Sequence, residues 1–196
     1  MGLSISVGLL ADLYHNDTEG FEYHHEAFAR LTAALTGEGI DWREPDAVEL
    51  PAAHEYSAGF PYGYLTRLRR VYVLAKSGGP ITPAAEINSP QYKQDLQLID
   101  DETSMLASHL LCHADDSGYY LPLDFPDPLF LPQELVPEGG GMVGSCYRLL
   151  EELAEIKPVL AACSPKDSFE PEKYAWSRLY ESCEASIAGG HAIVFC

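Results

Sequence analysis

Two places in the sequence bring together residue types that could do chemistry. In Gly144-Ser145-Cys146-Tyr147 a cysteine follows a glycine-rich run and precedes the apolar periodicity of Leu149, Leu150, Leu153 and Ile156. Ser145 stands where an N-cap is expected, so Cys146 falls in the first helical turn. Unsatisfied backbone N–H groups and the helix dipole favour a thiolate there, the form that acts as a nucleophile. The second place is His109-Leu110-Leu111-Cys112-His113, followed by Asp115 and Asp116. On a helix His109 and His113 lie four apart on one face, the spacing at which two imidazoles share a zinc ion, with Asp115 as the nearest carboxylate. Leu110 occupies the position of a metalloprotease general base, and spacing alone fixes no third ligand. The bland reading is a buried histidine pair bonded to backbone beside an Asp-Asp-Ser-Gly turn.

The tetrapeptide at Cys146 resembles the Gly-Ser-Cys-aromatic end of the papain-family nucleophile motif, and Gly190-His191-Ala192 resembles the setting of that family's base histidine. The resemblance implies a thiol hydrolase with Cys146 as nucleophile and His191 as base. It covers only these few residues: Gly140-Gly141-Met142-Val143 stands where the oxyanion-hole glutamine and a preceding cysteine belong. An acid such as Asp115 or Asp124 would have to orient the imidazole. The competing reading makes Cys146 a small buried hydrophobe and His191 a strand-end histidine satisfied by backbone.

Charge gives a third line of argument. Thirty acidic against twelve basic residues leave a formal net charge of −18. Such a surface repels nucleic-acid phosphate and favours encounters with cationic proteins. The sequence therefore reads first as a non-catalytic acidic interaction protein, an inhibitor or immunity-type protein that neutralises a basic partner, without nucleic acid and without cofactor. The expected recognition face comprises Tyr119 and Tyr120, the acids Asp115 and Asp116, and Phe130 on a proline-rich loop. The thiol hydrolase and a zinc site on His109 and His113 are the alternatives. Arg67-Leu68-Arg69-Arg70, a basic cluster in an acidic chain, reads as a source of intramolecular ion pairs.

These residues must be positioned by a fold, and the composition of 46% hydrophobic and 11% aromatic residues excludes a disordered chain. Apolar spacing predicts helices over Glu22–Leu35, Tyr62–Lys76, Ser145–Lys157 and Glu170–Ala188, with the third failing at Pro158. Glu102–His113 is ambiguous between helix and strand. Strands are expected at Leu3–Leu9, at Tyr119–Phe125 as an edge or a bulge because of Pro122, and at His191–Phe195. The glycine-rich run before Ser145 reads as a flexible connection. The expectation is one helix-rich α+β domain over residues 1–196, with about five helices and a small sheet that includes the N- and C-terminal strands. No stretch is long and apolar enough to span a membrane, and the first residues lack a secretory pattern, so a cytoplasmic setting with free cysteines is expected.

Overall fold

The computed structural model describes residues 2–46, 56–105, 107–114, 116–163 and 168–195. Among them the chain forms a six-stranded mixed sheet and seven α-helices. The α+β class and the terminal strands are as the sequence predicts, with two more helices than expected. The strands are β1 (Gly2–Val7), β2 (Tyr56–Pro61), β3 (Gly118–Leu121), β4 (Leu129–Phe130), β5 (Met142–Ser145) and β6 (Ile193–Phe195), in the order β2-β1-β6-β3-β5-β4. Only β3 and β5 pair in parallel; every other neighbour is antiparallel.

Alternation along each strand sends side chains to two cores. Ile5, Val7, Tyr120, Ile193 and Phe195 pack on one face, beneath α3 (Tyr64–Ser77), α6 (Cys146–Ala162) and α7 (Glu170–Gly189). Tyr119, Leu121, Val143, Ala192 and Val194 pack on the other, beneath α1 (Leu9–Asn16), α2 (Thr18–Gly37) and the proline-rich segment through Leu131 and Val136. Helices α4 (Pro90–Met105) and α5 (His109–Cys112) complete the first side.

Local chemistry sets the boundaries. Asp17 caps α2, its Oδ1 accepting from the Gly20 N–H at 3.1 Å, and Ala27, Phe28, Leu31, Ala34 and Leu35 form the buried stripe. Ser145 caps α6 by accepting from the Arg148 N–H at 3.2 Å, while its own hydroxyl donates to the Leu123 carbonyl at 2.5 Å. Pro158 does not end α6, which runs on to Ala162. Ala154 and Pro158 are both exposed, so the carbonyl that loses its helical donor faces water. The glycine-rich run is not a flexible connection either. It forms the 3-10 turn Glu138–Gly141 and then the fully buried strand β5. β3 lies inside the sheet between β6 and β5, and Pro122 falls just after it.

Arg69 and Arg70 bear out the expected intramolecular role of the basic cluster. Arg70 Nε pairs with Asp95 at 2.7 Å, and Arg69 donates to the carbonyls of Leu110 and His113. Glu152 of α6 completes this region by accepting from the N–H groups of His109 and Leu110 at 2.9 and 2.7 Å, which caps α5. Burial outweighs these two donors and raises the Glu152 carboxyl to about 7.

Two outcomes follow. A Cβ at Gly144 would stand 2.2 Å from Cδ1 of Tyr120, whose hydroxyl is fixed on the His109 carbonyl at 2.8 Å. Gly144→Ala should lower stability by about 3 kcal/mol, read as the urea midpoint, whereas Gly37→Ala, with open space around its Cβ, should leave it unchanged or raise it by up to ~1 kcal/mol. The folded protein also holds the Glu152 proton more tightly than the unfolded chain does. That contribution is complete below the ordinary value of 4.5 and is lost as pH rises through about 7. Glu152→Gln should therefore flatten part of the fall in urea midpoint between roughly pH 5 and 8, and an unaltered slope would refute the assignment.

Candidate functional site

Neither chemical constellation assembles. Cys146 is fully buried, and its Sγ lies 3.1 Å from the Ser186 hydroxyl instead of an imidazole. Cys183 adjoins it, and burial together with that neighbouring thiol holds the Cys183 pKa well above the usual thiol range. The His191 ring is buried and engaged elsewhere: Nδ1 lies 2.6 Å from Glu44 Oε1, while Glu44 Oε2 accepts from the Ala192 N–H at 2.9 Å. Glu44 thus holds the strand-leading histidine, in the place that Asp115 or Asp124 was expected to fill. No local pattern marks Glu44, since it reaches His191 only through the fold.

The histidines are also tied to backbone, although His113 Nε2 has no hydrogen-bond partner among the described residues. Helix α5 stops at Cys112 and His113 is extended, so the helical i, i+4 geometry is lost. The Ser145 N–H donates to His109 Nδ1 at 2.9 Å, which places the proton on Nε2, 3.3 Å from the Pro126 carbonyl. His113 donates from Nδ1 to the Ala114 carbonyl at 2.7 Å and stacks on Tyr120 at 4.3 Å. Burial lowers its pKa to about 3, so the ring is neutral. Among the described residues no group of three or more His, Cys, Asp or Glu side chains could hold a metal ion. The four described cysteines are free thiols; Cys196 and Asp115 lie outside the described residues.

The expected recognition face is also rearranged. Tyr119 and Tyr120 are each only 1% exposed, because interior strand β3 sends them into the two opposite cores. Asp116 is exposed and Phe130 is 70% exposed.

The feature that does assemble is a distribution of charge. Asp12 on α1, Asp17 at the junction, and Glu19, Glu22 and Glu26 on α2 are all exposed. At 100° per residue, Glu19, Glu22 and Glu26 fall within a stripe about 60° wide, opposite the buried Phe28, Leu31 and Leu35. None of the three pairs with a cation among the described residues. His25, adjacent to Glu26, is exposed, while His24 is half-buried and burial lowers its pKa. Glu38 and Asp41, also exposed, continue the acidic series past the end of α2.

Cations are nearly absent from this side. Arg30 lies 3.6 Å from Glu138, and Arg43 lines a cleft with Phe21 and Phe28. Every other described lysine and arginine stands on α3, α4, α6 or α7. There the exposed acids are partly neutralised, through Lys76 with Glu155, Arg148 with Asp124 and Glu151, and Arg178 with Glu181. The sheet thus separates a face nearly without cations from one that carries most of them, although exposed acids there, Asp100, Asp101, Glu170 and Glu184 among them, also stand outside the ion pairs. The total charge is legible in the sequence; the asymmetry needs the fold.

Along α2, residues three and four apart rise about 4.5 and 6 Å, so the three carboxylates span roughly 10.5 Å of axis. One strand of B-DNA carries a phosphate about every 3.4 Å of axis, so the stripe spans roughly three phosphate steps. The whole helix, about 30 Å long, approaches one duplex turn of about 34 Å.

Residues 1–195 match the family described as "Putative DNA-mimic protein". No curated protein and no solved structure matches the chain. The family match overturns the reading as an immunity-type inhibitor of a basic protein, along with the thiol-hydrolase and zinc-binding alternatives. It also corrects the exclusion of nucleic-acid biology, because proteins that bind DNA are the partners a DNA mimic implies. The physical reason is that the acidity taken to repel nucleic acid is what lets a protein resemble one. The chain belongs to this DNA-mimic family.

Proposed function

We propose that the α1–α2 face stands in for the phosphate backbone of duplex DNA and occupies the DNA-contacting surface of a DNA-binding protein. The observation that carries this reading is the row Glu19, Glu22 and Glu26, exposed and without cation partners among the described residues. A carboxylate already engaged in an ion pair offers less to an incoming lysine or arginine, so free carboxylates are what a mimic must present. Phosphate contacts supply much of the affinity and most of the salt dependence of DNA binding, and a protein polyanion can reproduce that term without bases. Partner choice then follows from the spacing and curvature of the carboxylates. The reading places the protein in the cell interior, in the compartment of the DNA it imitates.

Competition against duplex tests the proposal. Labelled duplex bound to a histone octamer, or to a helix-turn-helix repressor dimer, should be released as the protein is added, less effectively as salt rises. The triple variant Glu19→Gln, Glu22→Gln, Glu26→Gln should compete about tenfold less well and show a shallower salt dependence. Its thermal midpoint should stay level or rise, since like charges are removed from one helix face. Failure to displace duplex from either probe at low salt, or a triple variant equal to wild type, would overturn it.

A further inference from the structure

On the other side of the sheet a cleft of about 180 Å³ opens between α6 and the N-terminal half of α7. It is lined by Lys157, Leu160, Ala161, Lys173 and Trp176. The indole is fixed: Trp176 Nε1 donates to the Leu153 carbonyl at 2.8 Å, and the ring stacks on Tyr180 with centroids 5.0 Å apart and planes 21° from parallel. Lys157 Nζ stands 5.4 Å from the Trp176 ring centre and 5.7 Å from that of Tyr180.

The charges here are unusual for this chain. Among the described residues neither Lys157 nor Lys173 has a carboxylate partner, although acids outnumber bases 30 to 12. Arg148 on α6, Arg178 on α7 and Lys76 on the neighbouring α3 each hold at least one. Two lysines without a carboxylate partner lining an apolar, aromatic-walled cleft complement a molecule with a flat apolar body and a negative head. An apolar cavity of about 150 Å³ holds one benzene ring, so this cleft accommodates one ring and little more.

We infer that the α6–α7 cleft binds a small aromatic carboxylate, its ring against the Trp176 indole and its carboxylate held by Lys157 and Lys173. A dicarboxylate without a ring would leave the apolar wall wet, and a neutral ring would leave both ammonium groups without a counter-charge. The site lies across the sheet from α1–α2 and does not depend on that face mimicking DNA.

The probe is benzoate, followed through the Trp176 indole N–H in nitrogen-labelled protein, with Trp176→Phe identifying its signal against that of Trp42. The signal should shift saturably with a Kd of about 1 mM or tighter. Lys173→Gln should weaken binding about tenfold, and adding Lys157→Gln should abolish it. Benzyl alcohol, of the same size without the charge, should bind at least ~10-fold more weakly. Both lysines are at least partly exposed, so the variants leave the core intact, and duplex competition by the double variant should be unchanged. A non-saturating response up to roughly 10 mM benzoate, or equal titrations by benzyl alcohol or the double variant, would overturn the inference.

Discussion

The sheet holds together at β6. This short strand is inserted between β1 and β3, antiparallel to both, and without it the β1–β2 pair would have no ladder to β3, β5 and β4. Its residues alternate between the two cores: Ile193 and Phe195 pack beneath α3, α6 and α7, while Ala192 and Val194 pack beneath α1 and α2. A strand that faces apolar surface on both sides has no solvated side on which a polar residue is tolerated. The buried Glu44 fixes the approach to it, bonding the ring of His191 and the N–H of Ala192 with its two oxygens. That carboxylate is desolvated, which raises its pKa, and its hydrogen bonds from His191 and Ala192 act the other way.

Net charge is the second constraint. A chain carrying −18 is destabilised by its own repulsion in the compact state, so the acids must be either neutralised or spread out. The structure does both, with most of the neutralisation on the side that holds the cations. Arg70 with Asp95 and the surface pairs on α6 and α7 neutralise one side, where two layers of helices bring many charges together. The α1–α2 side keeps its carboxylates free and exposed on a single helical layer, where water and salt screen them. Relief of repulsion thus favours exposed carboxylates on α2, and the proposed DNA-mimic face is an arrangement in which exposure to a partner and that relief do not conflict.

The chemistry suggested by isolated motifs is absorbed by this architecture. Cys146 does occupy the first turn of a capped helix, as its spacing implies, yet the turn is driven into the core by β5, and the thiol becomes a packing atom beside Ser186. His109 and His113 likewise serve as ties among backbone segments: His109 joins Ser145 to Pro126, and the carbonyls of His109 and His113 receive Tyr120 and Arg69. These contacts fix both rings to backbone, although Nε2 of His113 and of His191 has no hydrogen-bond partner among the described residues.

What the sequence determined by itself were the features written in short-range periodicity and composition. The α2, α3, α6 and α7 helices follow from apolar spacing and caps such as Ser145, the strands near both ends from alternation, and the acidic character from counting. Tertiary structure decided the rest. α4, whose apolar residues Tyr92, Leu96 and Ile99 stand among polar neighbours, forms against α3. Tyr119 and Tyr120 look like surface aromatics until β3 is placed inside the sheet. Pro158 looks like a helix end until the exposed side of α6 accommodates it. The segregation of most cations to one side of the sheet, which leaves the α2 carboxylates without partners, is invisible in the sequence, because residues that share a face are far apart along the chain and only packing on a sheet assigns them to a side.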